Sequence, residues 1–278
     1  MMRLSLYTFV KDGIRLDYHV VAMLKYHARL FDEIVVVEGF STDGTYEAIR
    51  DIDPKIKIIR KELGQQSDMG VSWTASAKDT ARRACIGDWC VLLDSDEFLP
   101  EWECERLRSV AAATDKVMLP VRPLHFYGNY RVHQLPRYAV FGYRIHRNLE
   151  DIEVWGDGMN VRQRDVKLEK FNAEDAFEIH HFGEVRHPSR LREKWRAQAR
   201  RHKRIRRRDW MPSFMFDVFP HRWCKPESLP DMRIYDGPFI SAVDENPDEF
   251  VRDDFKVLHW VQKMRKCDAT RQVAVDTA

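Results

Sequence analysis

From Met1 to Pro100 the chain alternates between short apolar runs and stretches with helical spacing. Leu4, Leu6 and the pair Phe9-Val10 predict a first strand, closed by the turn-forming Lys11-Asp12-Gly13. Leu16, Val20, Met23, Leu24, His27 and Phe31 then recur at the intervals of one helix face. Ile34-Val35-Val36-Val37 is short, continuous and β-branched, the pattern of a strand buried on both faces of a parallel sheet. A loop from Gly39 to Thr45 leads into a short helix from Thr45 to Arg50, and Ile56, Ile58 and Ile59 predict another strand. Residues Trp73 to Ala84 suit a helix, with Trp73, Ala77, Thr80 or Ala81, and Ala84 along one side. Trp89-Cys90-Val91-Leu92-Leu93 is a further buried strand.

This β-α-β-α-β alternation predicts an α/β fold with a mostly parallel sheet and helices on both faces. Such sheets bind ligands at the carboxyl ends of their strands, where the loops after Val37 and after Leu93 are expected. Beyond Pro100 the pattern is less regular. Met118-Leu119-Pro120-Val121 predicts a strand, and aromatic residues and histidines crowd His125 to Tyr143. From Ser189 a long basic helix is expected, with the thin apolar stripe Leu191, Trp195, Ala199, His202 and Ile205 that suits a surface helix. Pro212, Pro220, Pro226 and Pro230 then break the chain, and the tail from Cys267 to Ala278 has little to bury.

Composition narrows the class. The 278 residues are 44% hydrophobic and 32% charged, which places the chain among folded proteins and matches one large α/β domain with a helical extension. No window approaches the roughly 18 consecutive apolar residues of a membrane span. The start, Met1-Met2-Arg3-Leu4-Ser5-Leu6, has no signal-peptide core, so a protein that is cytoplasmic, or at most bound to a membrane surface, is expected. Cys85, Cys90, Cys104, Cys224 and Cys267 form no Cys-x-x-Cys pair, which argues against a zinc site or a disulfide framework. Segment 190–208 carries eleven Lys or Arg against one acid, Glu193, while the rest of the chain has 35 basic and 43 acidic residues. Charge blocks of this kind speak about partners and not about fold.

Asp94-Ser95-Asp96-Glu97 follows a buried strand directly. Two carboxylates one residue apart at a strand end supply hard oxygen ligands for Mg2+ or Mn2+. The same tripeptide pattern at Asp51-Ile52-Asp53, followed by Pro54, reads as a solvated turn, so context carries the weight. Glu38 stands at the end of the second strand and can accept hydrogen bonds from a base or ribose, and Asp43-Gly44 favours a tight turn. Ile179-His180-His181-Phe182-Gly183 offers an imidazole to a cation beside two Asp. Asp157, in Trp155-Gly156-Asp157-Gly158, is the first choice for a base toward an acceptor hydroxyl, with Glu153 and Glu178 as alternatives. A retaining course would need no such base.

Two stretches together, Asp32 to Glu38 running into Ser41-Thr42-Asp43-Gly44-Thr45, and Gly87 to Glu97, resemble the nucleotide-binding half of family 2 glycosyltransferases with the GT-A fold. The resemblance covers about the first 100 residues. It implies a GT-A catalytic domain over 1–185, with a nucleotide-sugar-binding half to about 100 and an acceptor-side half over 101–185, and a basic helical extension over 186–278. It implies a hexosyl- or pentosyltransferase moving a sugar from a nucleotide-sugar, with a UDP-sugar as first choice, to an acceptor hydroxyl. Glu38 and Asp43 would then serve the nucleotide, where Glu38 replaces the usual Asp, and Lys78 would face phosphate where Arg is usual. Asp94 would face the ribose or the metal, with Asp96 and His181 as metal ligands, and Arg82 or Arg83 could substitute for Lys78.

Two rival readings follow from the same residues. A haloacid-dehalogenase-like phosphatase also has an Asp-x-Asp after a buried strand, but Phe98 stands where that family places Thr or Val. A nucleic-acid-binding protein with a non-catalytic domain would rest on the basic segment. The acceptor in the transferase reading is open to a polyanion, such as hydroxymethylated DNA bases or a surface polysaccharide. If 190–208 tracks a phosphate backbone, DNA affinity falls steeply with salt and the slope collapses when Arg204, Arg206, Arg207 and Arg208 are neutralised. Weak, salt-independent binding in a titration series would remove DNA as a partner.

Overall fold

The computed structural model describes residues 2–62, 72–134, 142–166, 173–187, 189–191, 193–194, 232–254 and 256–263. Most of the basic segment 190–208, the prolines from Pro212 to Pro230, Cys224 and the tail Cys267–Ala278 lie outside these residues. The chain forms two compact units, each discontinuous in sequence. The first comprises 1–124, 136–181 and 240–242; the second comprises 125–135, 182–239 and 243–278.

The first unit is built on the predicted parallel sheet. Strands β1 (Leu4–Val10), β2 (Glu33–Glu38), β3 (Ile56–Arg60) and β4 (Trp89–Leu92) lie in the order β3-β2-β1-β4, every neighbour parallel. The β-branched run of β2 suits this position because both sheet faces are covered: Ile34, Val35, Val36 and Val37 are fully buried. On the β4 side the sheet turns antiparallel. There β8 (Gly142–Arg147) pairs with β4, and β6 (Met118–Tyr127) pairs with β8. A short strand β5 (Glu97–Phe98) pairs antiparallel with β11 (Phe177–Glu184). Strands β9 (Ile152–Trp155) and β10 (Asn160–Gln163) form a separate two-stranded ribbon.

Four helices flank these strands: α1 (Val20–Ala28), α2 (Thr45–Ile49), α3 (Trp73–Arg83) and α4 (Glu101–Ala113). The helix expected from Leu16 begins only at Val20. Residues before it form turns, with Leu16 N–H bonded to Asp12 O and Tyr18 N–H to Gly13 O. Asp12 and Asp17 take φ of 52° and 53°, which an α-helix does not admit. Leu16 is buried all the same, so its apolar spacing reports burial although the backbone is not helical. Helix α3 starts at an N-cap, Ser72, whose hydroxyl accepts the Ala75 N–H at 3.1 Å. Its inward face, Ala75, Ala77 and Ala81, packs with Tyr7, Val35, Val37 and Leu92 of the sheet and with Ile152 and Val154 of the ribbon.

In the second unit β7 (Asn129–Gln134) lies between the end of β6 and β12 (Met232–Ile234), antiparallel to both. Its core joins Tyr127, Val132, Met232, Val257 and Val261. Asn129 Nδ2 donates to the buried Asp253 carboxylate at 3.1 Å, which also accepts the Val257 N–H at 3.0 Å. A short helix α5, Ser241–Glu245, begins in the first unit's segment 240–242 and ends in the second unit's segment 243–278. Cys85, Cys90 and Cys104 are buried free thiols. Among the described residues no helix is long and apolar enough to cross a membrane.

Leu92 is 1% exposed and touches the cluster shared by the sheet, α3 and the ribbon. Leu92→Ala is expected to lower unfolding stability by about 2–5 kcal/mol, read from the midpoint of a urea titration.

Candidate active site

The register of the parallel strands gathers the candidate residues at one edge. Val10 of β1 stands beside Glu38 of β2, and Tyr7 beside Leu92 of β4. Their chain directions are equal, so the loops after Val10, Glu38 and Leu92 all leave the sheet on its carboxyl side.

Glu38 is fully buried and serves its own loop. Its carboxylate accepts the Ser41 N–H at 2.6 Å, the Phe40 N–H at 3.2 Å and Arg60 Nε at 3.0 Å. The Arg60 guanidinium is packed over the rings of Phe40 and Tyr46, 4.4 and 4.5 Å from their centroids. Asp43 ties this loop to the one after β1. It accepts the Arg15 N–H at 2.7 Å, and the Thr45 N–H and hydroxyl at 3.1 and 2.5 Å. Partial burial opposes its charge, but these donors prevail and hold the Asp43 carboxyl below the usual range. Gly44 carries the expected positive φ, 86°.

At the end of β4 the acidic motif forms a tight turn, closed by Glu97 N–H to Asp94 O at 3.0 Å and by Asp94 N–H to Glu97 Oε2 at 2.7 Å. Glu97 Oε2 also accepts Arg144 Nη1 of β8 at 2.6 Å, and both side chains are almost wholly buried. Lys78 of α3 is buried and donates from Nζ to the Asp94 carboxylate and to Gly158 O, the latter at 2.9 Å. Burial disfavours the Asp94 charge and Asp96 repels it, yet Lys78 and Arg144 outweigh both and hold its carboxyl below the usual range. Asp96 is 2% exposed. The β5–β11 pairing sets His181 opposite Glu97, and His181 Nε2 lies 3.6 Å from Asp96 Oδ1.

The tip of the β9–β10 ribbon rests on the start of α3. Gly156 O accepts the Ser72 N–H at 2.8 Å, and Asp157 O accepts the Thr74 hydroxyl at 3.1 Å. Gly158, at φ 89°, sits so close that an added Cβ would lie 3.0 Å from Ala75 N, so a side chain there would strain the backbone and crowd the start of α3. Asp157 is exposed, and its Oδ1 accepts the Met159 N–H at 3.0 Å. Asp157 is near enough to Arg144 to favour the guanidinium charge, after Glu97 and Asp94, against the cost of burial. The two alternative bases are paired elsewhere: Glu153 with Arg162, and Glu178 with Arg122 and His180. Arg82 and Arg83 both bind Asp79, Arg82 also reaching Leu149 O, so neither stands in for Lys78 at Asp94.

The ligand trio expected from the sequence is not assembled as a trio. Among the described residues no group of three His, Cys, Asp or Glu side chains is placed to hold one metal ion. The Asp94 carboxylate is instead engaged by the Lys78 ammonium. Asp96 and His181 fit a divalent cation as a pair. Their 3.6 Å separation is one that a shared ion can bridge with bonds of about 2.1 Å, and a carboxylate with an imidazole suits Mn2+. Other oxygens must complete such a shell, as phosphates of a nucleotide do.

Arg144, Glu97 and Arg60 enter the site although the sequence motifs give none of them a role. Glu97 has a signal, adjacency to Asp96; Arg144 has none, because its link to the acidic turn spans 47 residues.

A family model described as glycosyl transferase family 2 matches residues 19–161, more than half of the chain. A comparison with curated proteins returns no match. Among solved structures, Staphylococcus aureus TarS 1-349 is 15% identical over 94% of this chain and 87% of its own, with a TM-score of 0.41. Glucosyl-3-phosphoglycerate synthase from Mycobacterium tuberculosis, solved with Mn2+, UDP-glucose and phosphoglyceric acid, is 16% identical over 45% and 44%, with a TM-score of 0.33. A mannosyltransferase from Pyrobaculum calidifontis, solved with GDP-Man and Mn2+, is 22% identical over 45% and 36%, with a TM-score of 0.34. In the last two the match spans less than half of the solved chain.

Because the Asp94 carboxyl is depressed in the fold, its charge stabilises the protein above the unfolded carboxylate value and that contribution is lost as pH falls through the lower folded value. Lys78→Met removes the nearest cation. The Asp94 titration, followed by carboxyl 13C NMR, should move upward; an unmoved midpoint would show that Lys78 is not what holds it.

Proposed function

The chain belongs to glycosyl transferase family 2, and we propose on that premise that it transfers a sugar from a nucleotide-sugar donor to an acceptor hydroxyl. The observation that carries the reading is the meeting of Asp96 with His181, 3.6 Å apart, beside the Lys78–Asp94 pair at the carboxyl end of β4. Asp96 and His181 would hold a divalent cation, Mn2+ by first choice, which when bound neutralises charge growing on the leaving nucleoside diphosphate.

The chain's own residues carry the remaining roles. Lys78 and Arg144 supply fixed positive charge next to the acidic turn, so the Asp94 carboxylate stays ionised before any ligand arrives. Asp94 remains oriented by Lys78 and by its N–H bond to Glu97, which suits a contact to ribose more than to metal. Glu38 and Asp43 hold the loop that would receive the nucleotide, with UDP as first choice, and Glu38 acts through the loop backbone it binds. Asp157, exposed at the ribbon tip, would accept the proton of the acceptor hydroxyl in an inverting course. The buried thiols Cys85, Cys90 and Cys104 accord with a cytoplasmic setting.

Thermal shifts with UDP, GDP and CDP, each with and without Mn2+, test this directly. Stabilisation is expected only with both components, reaching about 2.7 kcal/mol at a hundredfold excess over Kd. Asp96→Asn and His181→Ala should each lose the metal-dependent part. A nucleotide shift indifferent to Mn2+, or one retained in both variants, contradicts the assignment.

A further inference from the structure

The ribbon β9–β10 has two unlike faces. Ile152, Val154 and Val161 point into the core, while Glu153, Trp155 and Arg162 occupy the other face. Trp155 is 40% exposed. It is also held rigidly. The Arg162 guanidinium lies 3.1 Å from its ring centroid, and Glu153 Oε1 accepts Arg162 Nε and Nη2 at 2.6 and 2.5 Å. Ring, guanidinium and carboxylate thus form a pre-ordered surface, so little side-chain entropy is lost when a ligand lands on it.

We propose that Trp155 with the Arg162–Glu153 pair is a stacking platform for a neutral sugar ring of the acceptor. This deepens the transferase reading and rests on it for the word acceptor. The exposed part of the indole, away from the stacked guanidinium, offers apolar area to the C–H face of a sugar, and the guanidinium N–H groups not engaged by Glu153, with the second Glu153 oxygen, offer donors and an acceptor to its hydroxyls. The charges of Arg162 and Glu153 cancel, so the platform lacks the net positive charge that a phosphate backbone requires.

Its position fits the role. Trp155 is two residues from Asp157, so their Cα atoms are within about 7.6 Å. Among the described residues nothing lies within 4 Å of a Cβ built on the intervening Gly156, which leaves space at the tip. The tip itself is fixed by Ser72, Thr74 and Lys78, and Lys78 also binds Asp94. The platform is therefore rigidly joined to the edge where donor chemistry is placed.

The test compares the wild type, Trp155→Ala and Trp155→Phe, with folding checked by melting temperature. Trisaccharides of glucose, N-acetylglucosamine and mannose are the probes, read by saturation-transfer NMR, and a single-stranded DNA oligomer is titrated in parallel. The wild type should bind at least one trisaccharide, Trp155→Ala should weaken it about tenfold, and Trp155→Phe should keep most of it. No trisaccharide binding by the wild type, equal binding by Trp155→Ala, or a loss confined to the DNA oligomer would overturn the platform. Nucleotide-sugar hydrolysis by the wild type with Mn2+ is measured separately. Its absence alongside Trp155-dependent trisaccharide binding would sink the transferase reading and leave the platform standing.

Discussion

Beneath the acidic turn a buried carboxylate faces a buried guanidinium: Glu97 accepts from Arg144 at 2.6 Å and, with the same oxygen, from the Asp94 N–H at 2.7 Å. Removing two charges from water costs several kcal/mol each, and their attraction offsets this only where the geometry is good. Here the satisfaction is partial, since Glu97 Oε1 and Arg144 Nε have no hydrogen-bond partner among the described residues. Such a pair is a poor device for stability alone. What it does achieve is to fix the backbone of Asp94 and to place a permanent cation behind several carboxylates that would otherwise repel one another. Preorganised charge of this kind needs no rearrangement when a charged ligand arrives.

Helix α3 extends that network across the unit. Its N-cap Ser72 receives the ribbon tip, Lys78 further along joins Asp94 to Gly158, and Asp79 accepts the Val154 N–H at 3.2 Å while binding Arg82 and Arg83. One helix therefore sets the spacing between the acidic turn and the ribbon. Its apolar side explains why it can carry so many charges. Ala75, Ala77 and Ala81 are small enough to bring the backbone close to the sheet and ribbon, and the buried polar groups then find partners within reach.

The parallel core is legible in the sequence because its signal is local. A β-branched run such as Ile34 to Val37 can only be buried twice, and the loops that follow such strands must open on one edge. The same locality explains the difference at Leu16. Its spacing reports burial, but the positive φ of Asp12 and Asp17 is a backbone property that apolar spacing does not carry. Arg82 and Arg83 are equivalent to Lys78 by proximity in sequence alone. Asp79 binds both of them, from three and four residues away, and Lys78 points instead toward the end of β4.

The strands of the parallel sheet, the acidic turn at a strand end and the family to which these motifs point can be read along the chain, since each is written within a few neighbouring residues. Which charges meet depends on how the strands and helices pack. Glu97 and Arg144 are 47 residues apart, Lys78 and Gly158 are 80 apart, and His181 reaches Asp96 through the pairing of β5 with β11. Electrostatic partners act through ångströms of space and not through positions in a chain, so a carboxylate's neighbours, and hence whether it is a ligand, an ion-pair member or a loop brace, appear only when the sheet is assembled.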